Sequence, residues 1–214
     1  DRRVRQTYEG EAYRTPEFKL EAAWVSDAGC VRESNEDSAL FVGPQNSPEL
    51  ESKGCLMLVA DGVGGHSAGE EASRIAVEII RRSYFESDRE GGQINTALRE
   101  AFAEANQAIY HTAQARVQWQ GMGTTCTALA LCGGQAYAAQ VGDSRLYLVR
   151  DDRIYQLSED HSAVMEMVRM GMMTIAEARA HEDRNIILRA LGTKPEVVVT
   201  IWEKPFPVRE GDNF

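Results

Sequence analysis

The chain lacks long apolar runs, paired cysteine motifs and any excess of positive charge. Among its 214 residues no apolar stretch approaches the roughly 20 needed for a bilayer-spanning helix. The four cysteines, Cys30, Cys55, Cys126 and Cys132, form no Cys-x-x-Cys pair, which argues against a structural zinc site. Three of them lie in apolar, strand-like surroundings, where cysteine behaves as a small hydrophobe. This usage suits a reducing compartment, so a cytoplasmic protein is expected. With 23 basic and 33 acidic residues the formal net charge is −10, a field that disfavours nucleic acid and anionic membranes as partners. Asp1-Arg-Arg-Val-Arg5 has charge but no apolar segment behind it, so it does not read as a signal peptide. It also lacks an initiator methionine, which is expected of a trimmed chain. There is no internal repeat and no low-complexity tract.

What is present reads as one domain of mixed α+β class. Residues 1–20 are polar without a clear period and are expected to form a tail or linker, leaving 21–214 as the folded unit. Leu20 to Ser26, Ala39 to Val42 and Gly54 to Ala60 read as strands. A helix is predicted from Ser67, which has capping-box spacing to Glu70. Its apolar face comprises Ala72, Ile75, Ala76, Ile79 and Ile80. After Gly91-Gly92 a second helix buries Leu98, Ala101, Phe102, Ala105 and Ile109. Thr124–Leu131, Gln135–Val141, Arg145–Val149 and Arg153–Leu157 are short β-rich runs. Gly133-Gly134, Gly142-Asp143-Ser144 and Asp151-Asp152 separate them as hairpin connections, which predicts an antiparallel meander. Residues 161 to about 190 return to helix, with methionines from Met165 to Met173 expected mainly in core packing, a mobile binding surface being the alternative, and Glu196–Trp202 is a last strand.

The chemistry concentrates in two acidic segments. Asp61 ends the apolar run Cys55-Leu-Met-Leu-Val-Ala and is followed by Gly62-Val-Gly-Gly-His66. A carboxylate at a buried strand end is costly unless compensated, and a cation is the usual compensation. The segment is not a phosphate-binding P-loop, because no Gly-Lys-Ser/Thr follows. It departs from the dinucleotide glycine pattern at Ser67, and Asp61 would repel a pyrophosphate. Gly62 has no side chain to block its carbonyl, a further oxygen donor. All-oxygen ligation points to Mg²⁺ or Mn²⁺. The second segment is Arg32-Glu-Ser-Asn-Glu36-Asp37. Neighbours on a strand face opposite ways, so one of Glu36 and Asp37 would take the metal and the other a water on it. Arg32 offers a guanidinium fork suited to phosphate oxygens, or pairs with Glu33 or Glu36 on the surface. His66 is a candidate general acid or a helix-start surface residue. Asp143 lies in a turn where Asp is commonplace.

Val31-Arg32-x-x-Asn35-Glu36-Asp37, Val59-Ala60-Asp61-Gly62-x-Gly64-Gly65-His66, Gly123-Thr124-Thr125, Val141-Gly142-Asp143-Ser144-Arg145 and Glu159-Asp160-His161-Ser162 occur in that order. In this the chain resembles the bacterial protein phosphatase 2C-like (PPM) enzymes from about Glu21 onward. The resemblance implies a four-layer α/β/β/α sandwich with two central antiparallel sheets and a flap near 161–190. It implies a metal-dependent phosphoserine/phosphothreonine protein phosphatase that uses a two-metal-activated water. Asp61 would bridge two Mn²⁺ or Mg²⁺ ions, Glu36 and the Gly62 carbonyl would hold one of them, and Asp143 would serve a third, weaker ion. Asp37 would fix a metal-bound water, and Arg32 would bind the substrate phosphate. Eukaryotic relatives carry a histidine acid where Val63 stands, which leaves His66 as the nearby candidate here. Further metal-binding aspartates follow a strand beginning like Glu210–Phe214 in the family, so the C-terminal strands are expected to be truncated. The implied partners are phosphoproteins made by a Ser/Thr kinase, met by a monomer. The alternative is a non-catalytic regulatory or interaction domain on the same fold.

Overall fold

The computed structural model describes residues 6–14, 19–30, 34–43, 53–64, 67–86 and 94–214. Its centre is a seven-stranded antiparallel sheet. The main path runs β10 (Thr200–Ile201), β7 (Gln135–Val141), β6 (Cys126–Cys132), β4 (Cys55–Val63), β3 (Asp37–Val42), with β11 (Phe206–Pro207) on β7 and β5 (Gly123–Thr124) on β4. Two further hairpins pair β1 (Gln6–Arg14) with β2 (Lys19–Ser26) and β8 (Tyr147–Arg150) with β9 (Arg153–Gln156).

Strand alternation gives the sheet two apolar faces. Leu56, Leu58 and Ala60 of β4, Cys126, Ala128 and Ala130 of β6, and Ala139 and Val141 of β7 pack under the helices α1 (Ser67–Glu86) and α2 (Ile94–Ala115). Met57, Leu129, Leu131, Ala136 and Ala138 face the other way, onto Leu20 of β2 and onto Leu146, Leu157, Trp202 and Phe206. The predicted buried face of α2 is buried throughout: Leu98, Ala101, Phe102, Ala105 and Ile109 are all fully enclosed. On α1, Ala72, Ala76 and Ile80 are fully buried, while Ile75 and Ile79 lie at the margin of the same core.

Four expectations are corrected. Residues 6–14, read as part of a tail, form β1; ladder pairing uses backbone groups alone, so a polar strand leaves no apolar period to detect. Residues 142–146 are not a hairpin. They leave β7 and cross to the separate β8–β9 pair, because Leu146 and Leu148 are buried rather than continuing the ladder. The helical region contains two short helices, α3 (Ala163–Arg169) and α4 (Ile175–Ala180), and its Met170 and Met172 are largely exposed rather than core. Of the predicted last strand, Thr200–Ile201 forms β10 and Trp202 N–H adds a bond to Ala138 C=O at 3.1 Å, while Val197, Val199 and Ile201 reach the helix-side core.

The segment before that strand is anchored by a polar residue inside the apolar face of α2. Asn106 is 1 % exposed. Its Nδ2 donates to the carbonyls of Lys194 and Pro195, both at 3.1 Å, and its Oδ1 accepts from Gly192 N–H at 2.8 Å. Gly192 has φ +84, and a Cβ there would fall 2.1 Å from Ile109 Cγ2. Asn106→Ala strands these buried groups and is expected to cost at least about 2 kcal/mol, read as a lower urea midpoint with an unchanged slope. A midpoint within error of the native protein would show that the anchor is dispensable.

Candidate active site

Asp61 lies where the β4–β6 ladder gives way to β5. That ladder runs to Val59↔Thr127, and β5 then pairs Gly62↔Thr124 and Val63↔Gly123. Between them Thr125 takes over with its side chain. Asp61 N–H donates to Thr125 Oγ1 at 3.1 Å, and Asp61 C=O accepts from Thr125 N–H and Thr124 Oγ1, both at 2.9 Å. On the opposite side β3 places Asp37 directly across from Asp61, and Gly62 N–H donates to Glu36 C=O at 3.0 Å. The two acidic segments found in the sequence are therefore joined by backbone register.

The two neighbours of the acidic pair lie in different surroundings: Glu36 is buried and Asp37 exposed. Asn35 shapes the turn before them. Its Oδ1 accepts from Asp37 N–H at 3.0 Å, and its Nδ2 donates to Ser26 Oγ at 2.6 Å. Gly62 has a second reason to be glycine besides an open carbonyl: a Cβ would lie 2.1 Å from Gly69 C=O. Gly69 reciprocates in the first turn of α1, where a Cβ would fall 2.8 Å from Glu36 Oε2. The two glycines let the positive end of a 20-residue helix approach the buried Glu36 carboxylate.

Asp143 reaches the same region from the β7–β8 crossover. Gly142 before it has φ +102, and a Cβ there would lie 2.5 Å from Thr125 Cβ. Ser144 Oγ shares a 2.7 Å hydrogen bond with Thr125 Oγ1, and Ser144 C=O accepts from Thr127 Oγ1 at 2.7 Å and Gln140 Nε2 at 3.1 Å. Arg145 forks onto the buried Asp160 carboxylate at 2.5–3.0 Å. Arg32 and His66, the candidate phosphate ligand and general acid, lie outside the described residues.

The protein phosphatase 2C family model matches residues 31–198. The chain belongs to the protein phosphatase 2C family. It is 37 % identical over 190 residues to the serine/threonine phosphatase Stp of Listeria welshimeri, covering 87 % of this chain and 73 % of the relative. The crystal structure of the Mycobacterium tuberculosis phosphatase PstP/Ppp aligns with a TM-score of 0.73 at 30 % identity, covering 99 % of this chain and 75 % of that one. A structure of the PstP catalytic domain in complex with two manganese ions aligns at 33 % identity and TM-score 0.68, covering 87 % of this chain and 72 % of that one. The mixed α/β fold with antiparallel sheets is the family's fold.

Membership sharpens the question of whether these residues suit a cation. Among the described residues no three Asp, Glu, His or Cys side chains converge as a ready-made cage. The electrostatics nevertheless call for positive charge. Burial pushes the Asp143 carboxyl above the usual carboxylate range, and the neighbouring charges of Asp160 and Asp61 push it the same way. The donors on hand are carboxylates and one backbone carbonyl, the hard oxygen set of Mg²⁺ or Mn²⁺. They fit.

Several supporting residues carried no role in the sequence reading: Asn35, Gly69, Thr124, Thr125, Gln140 and His161. Gly69 had a signal, since a glycine in a helix is costly and marks a close approach. His161 had none. It is 2 % exposed. Burial, then the cations of Arg189 and Arg169, push its imidazole down from about 6.5 to about 4. The unfolded chain therefore takes up a proton near 6.5 while the folded His161 stays neutral. The stability contributed is fully present above 6.5 and lost as pH falls toward 4. The urea midpoint is expected to drop between pH 7 and pH 5, and the drop to shrink in His161→Asn. Equal drops in both proteins would remove His161 as the cause.

Proposed function

We infer that the chain is a metal-dependent protein serine/threonine phosphatase, and we propose a role for each residue of its site. The observation that carries the assignment is the β3–β4 register, which sets Asp37 across from Asp61 and ties Glu36 to Gly62. Asp61, Glu36 and the Gly62 carbonyl hold Mn²⁺ or Mg²⁺ at the strand ends, and Asp143 contributes from the crossover. Bound ions supply Lewis-acid activation of water and neutralisation of phosphoryl charge. Asp37, exposed at the mouth, orients the attacking water. Arg32 binds the phosphate of the substrate, and His66 is placed in sequence to protonate the leaving serine or threonine oxygen.

Around this centre we read the sheet and its two apolar faces as part of a four-layer sandwich, and residues 161–190 as the flap beside the site. Two distinct cores on opposite sides of one sheet support the layered reading. The substrates are phosphoproteins made by a Ser/Thr kinase. The cysteine usage, with no Cys-x-x-Cys pair among the four, suits a cytoplasmic setting.

Asp61→Asn keeps the shape and the backbone clamp while removing one charge. It is expected to lower manganese-dependent turnover of a phosphothreonine peptide by on the order of a thousandfold or more. The apoprotein is expected to be no less stable, because Asp143 loses a repelling neighbour. Near-native turnover by folded Asp61→Asn at saturating manganese would refute the metal assignment. No turnover by the native chain at any manganese concentration would favour the non-catalytic reading.

A further inference from the structure

His161 and Gly142 are bonded to each other twice. His161 N–H donates to Gly142 C=O at 3.0 Å, and Gly142 N–H donates to His161 Nδ1 at 3.0 Å. Because a backbone N–H can only donate, Nδ1 must be unprotonated, and the ring proton of the neutral imidazole sits on Nε2. Nε2 lies 3.0 Å from Thr200 Oγ1, which accepts it. Arg189 Nη1 lies 3.4 Å from both Nε2 and that hydroxyl; because Nε2 carries the ring proton, Arg189 donates to the hydroxyl oxygen and not to the ring. Every polar atom of the ring is thus committed, and its tautomer is fixed by its partners.

The main chain of His161 continues the connection. His161 C=O accepts from Leu188 N–H at 2.7 Å, Ser162 bridges Ile187, and Ala163 N–H donates to Ile186 C=O at 2.9 Å. The two stems of the segment that carries α3 and α4 are therefore zipped together at the histidine that grips Gly142. Gly142 in turn is pressed against Thr125, whose hydroxyl holds Asp61 N–H, and it directly precedes Asp143.

We propose that His161 is a positioning residue, which fixes the Gly142–Asp143 turn in the neutral Nε2–H form and ties the placement of the Asp143 carboxylate to the stems of the 163–186 segment. The side chain touches neither substrate nor ion. It acts by holding the peptide that aims Asp143, and this rests on the reading of Asp143 as a metal ligand.

The test uses the full chain in four forms: native, His161→Phe, His161→Asn and Thr200→Val, with Asp143→Asn as reference. Phenylalanine fills the site but accepts nothing from Gly142, whereas asparagine presents an oxygen where Nδ1 stood. Calorimetric Mn²⁺ titration is expected to show one binding step weakened about tenfold or more in His161→Phe, the same step that Asp143→Asn removes. On a phosphopeptide, kcat is expected to fall while KM stays within about twofold, and His161→Asn to recover most of both losses. Amide exchange at Gly142 is expected to accelerate in His161→Phe and not in His161→Asn. This readout needs no metal, so an Asp143→Asn protein with unchanged Mn²⁺ binding would overturn the ligand assignment and leave the positioning role to be decided by exchange. Should His161→Phe not fold, Thr200→Val and the ¹⁵N shifts of the native ring decide. An Nδ1–H tautomer in the native protein overturns the proposal. So does native-like Gly142 exchange in folded His161→Phe, or a His161→Asn protein no better than His161→Phe.

Discussion

Both backbone polar groups of Asp61 are spent on one two-residue segment, Thr124-Thr125. Elsewhere in β4 such groups belong to the ladders with β3, β5 and β6. Here Thr125 stands between β5 and β6, and its hydroxyl substitutes for the missing ladder carbonyl. Strand and turn are thereby locked at the residue whose carboxylate must be held against repulsion from its neighbours. Ser144 shares the same hydroxyl, Gly142 packs on the same Cβ, and His161 grips Gly142. Four separate stretches of chain, around 37, 61, 125 and 143, converge because each satisfies a buried donor or acceptor of another.

Close approach is the second requirement, and glycine supplies it where it matters. Gly62 and Gly69 remove the atoms that would hold α1 away from the strand ends. The helix start then lies against the buried Glu36 carboxylate, where its dipole favours negative charge. Alanines at 68, 72 and 76 continue the same fit down the buried face of α1. Packing and electrostatics thus serve one end: acidic groups are kept close together and partly out of water.

How much of this could be read from residues alone depended on where each signal came from. The helical period of Leu98, Ala101, Phe102, Ala105 and Ile109 and the alternation in Cys126–Cys132 and Gln135–Val141 arise from burial against a core, and both emerged as expected. Asp61 before its glycines was legible for the same reason, as a charge closing an apolar run, although β4 continues past it to Val63. The β3–β4 register that joins Asp37 to Asp61 was not, because a register is a relation between segments. The crossover at 142–146 mimics a hairpin locally; Gln140 bonds Gly142 and Ser144 within it, and His161 grips Gly142 through a contact that no short window contains. Polar β1 hid for lack of an apolar face, and the exposed Met170 and Met172 misled because methionine composition says nothing of which side is covered. Asn106 sat unnoticed within a periodic apolar face whose spacing it did not break.

If the Thr125 clamp is what holds the metal centre in shape, Thr125→Val tests it most directly. Valine keeps the volume and the β-branching and deletes only the hydroxyl between Asp61 N–H and Ser144. The account predicts a folded protein whose calorimetric Mn²⁺ affinity is about 10–100-fold weaker than native, the range seen when a supporting partner of a metal ligand is lost. Native Mn²⁺ affinity in well-folded Thr125→Val would contradict it, and would mean that the β3 register and the bonds to Asp61 C=O from Thr125 N–H and Thr124 Oγ1 suffice to hold Asp61.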